Sequence, residues 1–236
     1  MLPITYLHFE ELPSTNTWAK DHAAELDPTH LTCIFADTQT HARGRNNRHW
    51  HAPKGNLYLS LFFTIPSQST YLPNVGQLLS LICAELFSLS IKWPNDLVIG
   101  SKKIGGVLTE TLMLGDKIQV IIGLGLNVNM TEEALSSINR EAISLMLLKG
   151  KKFDIEELAH TITSSFAKKL PHLQNEGFPS FHRNFQKHLA YMGEKITFHQ
   201  EGKKIEGICE GITEDGRLKF REASSNIVTL ISGEIE

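Results

Sequence analysis

Between residues 56 and 65 every second position is apolar. Leu57, Leu59, Leu61, Phe63 and Ile65 fall on one face, with Asn56, Tyr58, Ser60 and Thr64 mainly on the other. A period of two belongs to a strand, so this segment reads as a half-buried strand. A second segment keeps the period with different contents. In Gly123-Leu124-Gly125-Leu126-Asn127-Val128-Asn129, the glycines and asparagines share one face, while Leu124, Leu126 and Val128 share the other. Glycine weakens a strand, so two on one face mark a close approach. Either a planar ligand lies on this floor with its polar ends, or a neighbouring helix packs there. The pattern is not Gly-x-Gly-x-x-Gly, and no dinucleotide fold follows from it.

The rest of the chain mixes helices and strands. Ser14-Thr15 caps a first helix over residues 16–26. Residues 78–87 read as helical. Strand-like runs follow at 88–93, 104–111 and 117–129, separated or broken by turn chemistry at Pro94-Asn95-Asp96, Gly100-Ser101 and Gly115-Asp116. Ile155, Leu158, Ala159, Ile162, Phe166 and Leu173 recur at helical spacing behind a capping Asp154, and residues 178–189 form a further helix. From Gly193 the texture changes. Short strands are separated by Glu201-Gly202, Asp215-Gly216 and Ser224-Ser225-Asn226, as in a small antiparallel barrel. The expected class is α+β: a mixed β-sheet domain with helices over residues 1–189, then a small C-terminal antiparallel β-barrel over 190–236.

Composition excludes several settings. Against 26 acidic residues stand 23 Lys/Arg, a net charge of −3, which excludes a generally basic nucleic-acid coat or an acidic disordered tail. The three cysteines, Cys33, Cys83 and Cys209, never form a C-x-x-C pair, which argues against a disulfide scaffold or a cysteine zinc site and fits a reducing cytoplasm. Residues 1–12 have no signal-peptide pattern, and the longest apolar stretch, 75–91, is interrupted by Gln77 and Glu85. The expectation is a soluble cytoplasmic protein that engages no membrane and no DNA.

Three segments carry candidate chemistry. Ala42-Arg43-Gly44-Arg45-Asn46-Asn47-Arg48-His49-Trp50 has no apolar period and reads as a loop. Its arginine forks suit phosphate or carboxylate, and glycine allows close backbone approach. A solvated basic loop or one gripping RNA fits the same residues. In Lys92-Trp93-Pro94-Asn95-Asp96 a lysine ends an apolar strand before a tight turn. An ammonium held there could neutralise developing charge; an ordinary hairpin with a snorkelling lysine is the other reading. Lys102-Lys103-Ile104-Gly105-Gly106 is a further basic, Gly-rich strand entry of the same ambiguous kind. The chain has no H-E-x-x-H, no G-x-S-x-G and no Walker A lysine. His49 and His51 read as incidental, not as metal ligands.

In combination these segments are specific. Ser14-Thr15-Asn16, Gln39, Arg43-Gly44-Arg45, Trp50, Gly55-Asn56-Leu57-Tyr58, the block from Lys92 to Asp96, Lys103-Ile104-Gly105-Gly106 and the run from Gly123 to Asn129 occur in an order that resembles the biotin protein ligases. The resemblance extends to the terminal Ser232-Gly233-Glu234-Ile235. It implies that biotin and ATP form biotinyl-5′-adenylate and pyrophosphate. A lysine of the biotin carboxyl carrier protein of acetyl-CoA carboxylase then accepts the biotinyl group. It implies that Ser14, Thr15, Asn16, Gln39, Arg43, Gly44, Arg45 and Lys92 contact biotin, with Lys92 at the carboxylate/α-phosphate junction. Arg45, Arg48, Trp50 and Asn127 would serve the nucleotide, and Lys92 and Arg45 would be catalytic. Mg²⁺ would accompany ATP, with no ligand assigned. A homodimer through a sheet edge is compatible with it. Two features depart from the family pattern. Ala42 and Asn47 stand where the family loop has glycines, and only thirteen residues precede Ser14, too few for the winged-helix DNA-binding domain of the repressor members. The competing readings are a lipoate–protein ligase, a biotin-responsive regulator without catalysis, and a non-catalytic interaction module using the C-terminal barrel.

Overall fold

The run from Leu57 to Ile65 is covered on both sides, and that makes its strand the middle of the molecule. The computed structural model describes residues 2–138, 141–200 and 203–235, so the turn expected at Glu201-Gly202 lies outside the described residues. Seven strands form the larger sheet: β1 (Ile4–Leu12), β2 (Leu31–Gln39), β3 (Leu57–Pro66), β4 (Ser90–Lys92), β5 (Asp96–Ile99), β6 (Lys102–Leu114) and β7 (Lys117–Leu126). Their order is β1-β2-β3-β7-β6-β5-β4. The β1–β2 pair is parallel and the others are antiparallel, so the sheet is mixed. The helices are α1 (Thr15–Asp21), α2 (Val75–Phe87), α3 (Glu132–Ser136), α4 (Leu145–Lys149), α5 (Ile155–Glu176) and α6 (Pro179–His188).

Leu57, Leu59, Leu61, Phe63 and Ile65 pair across to Leu126, Leu124, Ile122, Val120 and Ile118. This apolar face packs with Leu78 and Ile82 of α2, Ile162 and Phe166 of α5, and Phe185 of α6 in one buried cluster. Removing that area from water is the dominant favourable term for the fold. The opposite face is not solvated as the alternation implied. Phe62, Ile34, Ala36 and Ile121 pack with Ala19 of α1, and Tyr58 packs with Ala42 and Ala52. The sheet is therefore a middle layer, and α1 is short enough to leave part of this second face open.

Several boundaries differ from expectation. The first helix ends at Asp21, since His22 leaves helical geometry (φ −104°, ψ 11°) while its backbone N–H and ring Nδ1 (2.9 Å) both bond to Trp18 O. Residues 96–99 form β5, a strand of their own. Helices α3 and α4 start at Thr131 and Ser144, whose hydroxyls accept from Ala134 N and Leu147 N. The expected helices over 78–87, behind Asp154 and over 178–189 match α2, α5 and α6.

The C-terminal strands β8 (Lys195–Gln200), β9 (Lys203–Ile212), β10 (Leu218–Glu222), β11 (Ile227–Leu230) and β12 (Glu234–Ile235) form a five-stranded antiparallel sheet in the order β11-β10-β9-β8-β12. Its inner residues Phe198, Cys209, Leu218 and Phe220 continue the main core. Trp93, in the turn between β4 and β5, donates from Nε1 to Gly216 O at 3.0 Å, which joins this sheet to the larger one.

Candidate functional site

Register fixes which side chains meet on the face that α1 leaves open. Tyr58 pairs with Gly125, Gly125 with Gly106, Gly106 with Asp96, and Asp96 with Lys92. Directly paired residues share a face, so these five form a row across five strands. The adjacent row is Ser60, Gly123 and Leu108, and the next is Phe62, Ile121 and Glu110. The three glycines lower the middle of the floor, with a lysine and an aspartate at one rim.

The two glycines of β7 make room for specific neighbours. A Cβ at Gly123 would overlap Asn16 Oδ1, and one at Gly125 would come within 2.9 Å of the Trp50 indole. The helix-packing reading holds at Gly123. Gly123 receives a side chain from the helix α1, and Gly125 receives an aromatic ring from the loop, inside one cleft.

At the α1 end, Ser14, Thr15, Asn16 and Ser60 are buried. Gln39 Oε1 accepts from Thr15 N (2.6 Å), and Ser14 Oγ accepts from Thr17 N (3.4 Å), so two orphan donors of the helix start are satisfied. Ser60 Oγ donates to Asn16 Oδ1 (2.5 Å) and lies 2.8 Å from Thr15 Oγ1. Asn16 Nδ2 donates to Glu110 Oε2 (2.8 Å), and Arg43 Nη2 lies 2.8 Å from both Glu110 oxygens. Burial pushes the Glu110 carboxyl up, but the hydrogen bonds from Arg43 and Asn16 outweigh it and hold the group below the usual carboxylate range.

The arginine loop is closed on itself. Arg43 and His49 form a β-bridge, Gly44 N donates to Arg48 O (2.8 Å), and Trp50 N donates to Ala42 O (3.0 Å). Asn46 and Asn47 both have φ of 55°. Asparagine tolerates that left-handed conformation, so Asn47 supplies the geometry a glycine would. Ala42 is buried against Ala52, Tyr58 and Trp50. The loop is tethered outward at three places. Arg43 reaches Glu110. Arg45 Nη1 donates to Gly233 O (3.0 Å) and Asn95 Oδ1 (3.3 Å). Arg48 pairs with Glu234. Burial lowers the Arg45 guanidinium from its usual value, with Asp96 opposing.

Lys103 reaches this face through a bulge. Leu97 pairs with Gly105 but Val98 pairs with Lys103, so Ile104 is an extra residue in β6. The bulge turns Lys103 onto the face of Asp96 and Gly106. Its Nζ lies 2.5 Å from Asp96 Oδ1 and 5.4 Å from the Trp50 ring centroid, and its side chain is only 16% exposed.

Two cavities share Trp50 and Lys103 in their linings. The larger, about 210 Å³, is lined among others by Ser14, Thr15, Asn16, Gln39, Arg43, Gly44, Arg45, Arg48, Trp50 and Lys92, which is every expected site residue except Asn127. Asn127 lines the smaller cavity of about 20 Å³ with Trp50, His51, Lys103, Ile138 and Ala142. Its Nδ2 donates to Ile143 O at 3.2 Å. Asn129 takes no part: its amide clamps Phe153 N and O. Trp50 Nε1 is buried and has no hydrogen-bond partner among the described residues, a donor an incoming acceptor would satisfy. Sequence reasoning had not assigned roles to Lys103, Asp96, Glu110 or Glu234. The Lys103-Ile104-Gly105-Gly106 signal, the turn at Asp96 and the terminal Ser232-Gly233-Glu234-Ile235 pointed that way, and nothing local pointed to Glu110.

Comparison with known proteins fits this geometry. Residues 8–127 match the biotin/lipoate A/B protein ligase family, and residues 191–236 match the biotin protein ligase C terminal domain. The bifunctional ligase/repressor BirA of Escherichia coli is 30% identical over 232 residues, covering 95% of this chain and 71% of that protein. The biotin–[acetyl-CoA-carboxylase] ligase of Paracoccus denitrificans is 28% identical over 200 residues, covering 80% of this chain and 83% of that one. The structure of the biotin protein ligase from Aquifex aeolicus in complex with biotin and ATP superposes with a TM-score of 0.80 at 28% identity, covering 98% and 97% of the two chains.

Proposed function

Because this chain belongs to the biotin/lipoate A/B protein ligase family, we propose that it joins biotin to a protein lysine in two steps, through biotinyl-5′-adenylate. The observation that carries the reading is a pair of cavities that share Trp50 and Lys103 in their linings. One has a polar nest and the other an amide, and Lys92, Lys103 and Arg45 line the larger.

In the first step the biotin carboxylate attacks the α-phosphorus of ATP, and pyrophosphate leaves. Two anions are brought together, so positioning and cations matter more than a protein nucleophile. Lys92 and Lys103 stand on strands of one sheet and need no reorganisation to meet the developing charge. Ser14, Thr15, Asn16 and Gln39 hold biotin from the α1 end. Arg43 orders the start of the loop through Glu110. Asn127 and Arg48 serve the nucleotide, with Trp50 between the two ligands. No thiol competes as a nucleophile: burial pushes Cys33 and Cys83 up to about 12 and raises Cys209 as well. The adenylate is a mixed anhydride that water destroys, and the loop of Gly44, Arg45 and Arg48 covers it. In the second step a neutral lysine amine attacks the acyl carbon, and the same cations stabilise the departing AMP.

We assign the acceptor as a biotin carboxyl carrier domain and the compartment as the cytoplasm. The three buried free cysteines support the compartment. Among the described residues no helix is long and apolar enough to cross a membrane. The chain divides into residues 1–189, which bind biotin and ATP, and 190–236, a reading supported by the change of sheet and the second family match. Mg²⁺ enters only as the companion of the ATP phosphates. Asp96 and Glu234, two carboxylates lining the cleft, are each bonded to a cation. Among the described residues no cluster of three His, Cys, Asp or Glu could hold a metal.

Incubation with ATP, Mg²⁺, biotin and a carrier domain, read by mass, tests the reading. One biotinyl group on one carrier lysine is expected, with pyrophosphate exchange supported by biotin and not by lipoate. Exchange with lipoate alone would reassign the acyl substrate, and no exchange with either would end the proposal.

A further inference from the structure

An ammonium placed to stabilise an acyl-adenylate is one proton away from being its acceptor. Lys103 stands in that position. It lines both cavities, with its Nζ 5.4 Å from the centroid of the Trp50 ring that lines them too. Protonated, Nζ has no lone pair and can only neutralise charge. Deprotonated, it would attack the acyl carbon, forming an N–C bond. The C–O bond to phosphate would break, AMP would leave with the electron pair, and the nitrogen would lose its proton to solvent. The enzyme would then carry its own substrate as an amide.

Lys103 is held away from open solvent, beside other cations. The Lys103 side chain is mostly buried, and Arg45 and Lys92 line the same cleft. Asp96 supplies the opposite charge. Its Oδ1 accepts from Lys103 at 2.5 Å, and the bulge at Ile104 turns Lys103 onto this face. Gly106 leaves space for the contact: a Cβ there would lie 3.2 Å from Asp96 Oδ1 and 3.4 Å from Lys103 Nζ. We propose that Lys103 is a latent acyl-acceptor site, held in its unreactive charged form by the ion pair with Asp96. The proposal rests on the adenylate-forming reading above and adds a specificity role for Asp96: it keeps the acyl group for the external lysine.

The test supplies excess preformed biotinyl-5′-adenylate to the folded protein, so that the adenylation step is bypassed and weakened binding does not mute the reading. Biotin is located by peptide mass spectrometry, with the exposed Lys54 as reference. In the parent protein Lys103 should stay unmodified while adenylate is retained. In Asp96→Asn, labelling at Lys103 should rise at least about tenfold, the scale of losing one charge-assisted hydrogen bond. In Asp96→Asn combined with Lys103→Arg, which keeps the charge without the nucleophile, that label should vanish. Labelling of parent Lys103 as fast as Lys54 overturns the proposal without any variant. So does a folded Asp96→Asn protein, saturated with adenylate, in which Lys103 is labelled no more than in the parent. A parent that fails to retain the adenylate at all overturns the functional reading, and this inference with it.

Discussion

The two sides of the cleft are held in place by different means. At the α1 end, Thr15, Asn16, Gln39 and Ser60 bond to one another inside the protein, and the elements that carry them belong to the central layer. The arginine loop is instead suspended from β6, from the turn before β5 and from β12, largely through charged contacts. The Arg48–Glu234 pair among them is substantially exposed. Buried neutral hydrogen bonds are costly to break singly, whereas exposed ion pairs contribute little and release readily. One side is therefore preorganised for recognition, and the other can open and close within the energy that a ligand provides.

If that division is right, removing a cation carried by the sheet itself should damage chemistry most. Lys103→Ala should lower biotin-dependent ATP–pyrophosphate exchange by about 10²–10³-fold, the usual scale for one charge-stabilising donor. Lys92→Ala should cost less, since Lys92 lines only the larger cavity. Reversal of that order would move the main catalytic cation to the end of β4. On the loop side, Arg45→Gly should preserve more of the exchange but speed escape of the adenylate by about 10–100-fold, because a charge-assisted hydrogen bond is worth roughly 1.5–3 kcal/mol. Biotin should then appear on an unrelated lysine-rich protein mixed with the carrier. A slower mutant with unchanged selectivity would show that both sides serve chemistry.

The Glu110 contact, where loop and sheet join, sharpens the contrast through pH. Its carboxyl sits below the usual range when folded, so its contribution is present above the unfolded value near 4.3 and is lost as pH falls through the folded one. Melting temperatures of the parent and Glu110→Gln should therefore differ at neutral pH and converge as the pH is lowered through the acid range. The smallest effect belongs to the outermost tether. Glu234→Gln should raise adenylate escape by no more than about threefold, and about 0.5 M salt should erase the difference from the parent.

Legibility followed the range of the interactions. The strand β3 and helix α5 announced themselves by period. The run from Gly123 placed the cleft floor on the correct face, because alternation along a regular strand does not fail. It failed at Lys103. Counting by twos from Gly106 assigns Lys103 to the opposite face, and only the bulge at Ile104, visible in the pairing with β5, reverses that. Strand β2 is buried along most of its length on both faces and carries no alternation to read, and the edge strand β1 is half-exposed throughout most of its length. The partners of the arginines were equally hidden. Glu110 and Glu234 lie 67 and 186 residues beyond Arg43 and Arg48, and no local pattern reports contacts at that separation.

The tether between Arg45 and Gly233 has a consequence in time. The two residues are 188 positions apart. At ordinary rates of synthesis, the ribosome needs roughly 10–40 s to make the second after the first. Through that interval the nascent chain can already possess the α1 nest, β3 and β7, which all precede residue 130, while the loop has nothing at its far end to hold. A growing chain can therefore have a binding pocket well before it has a closure.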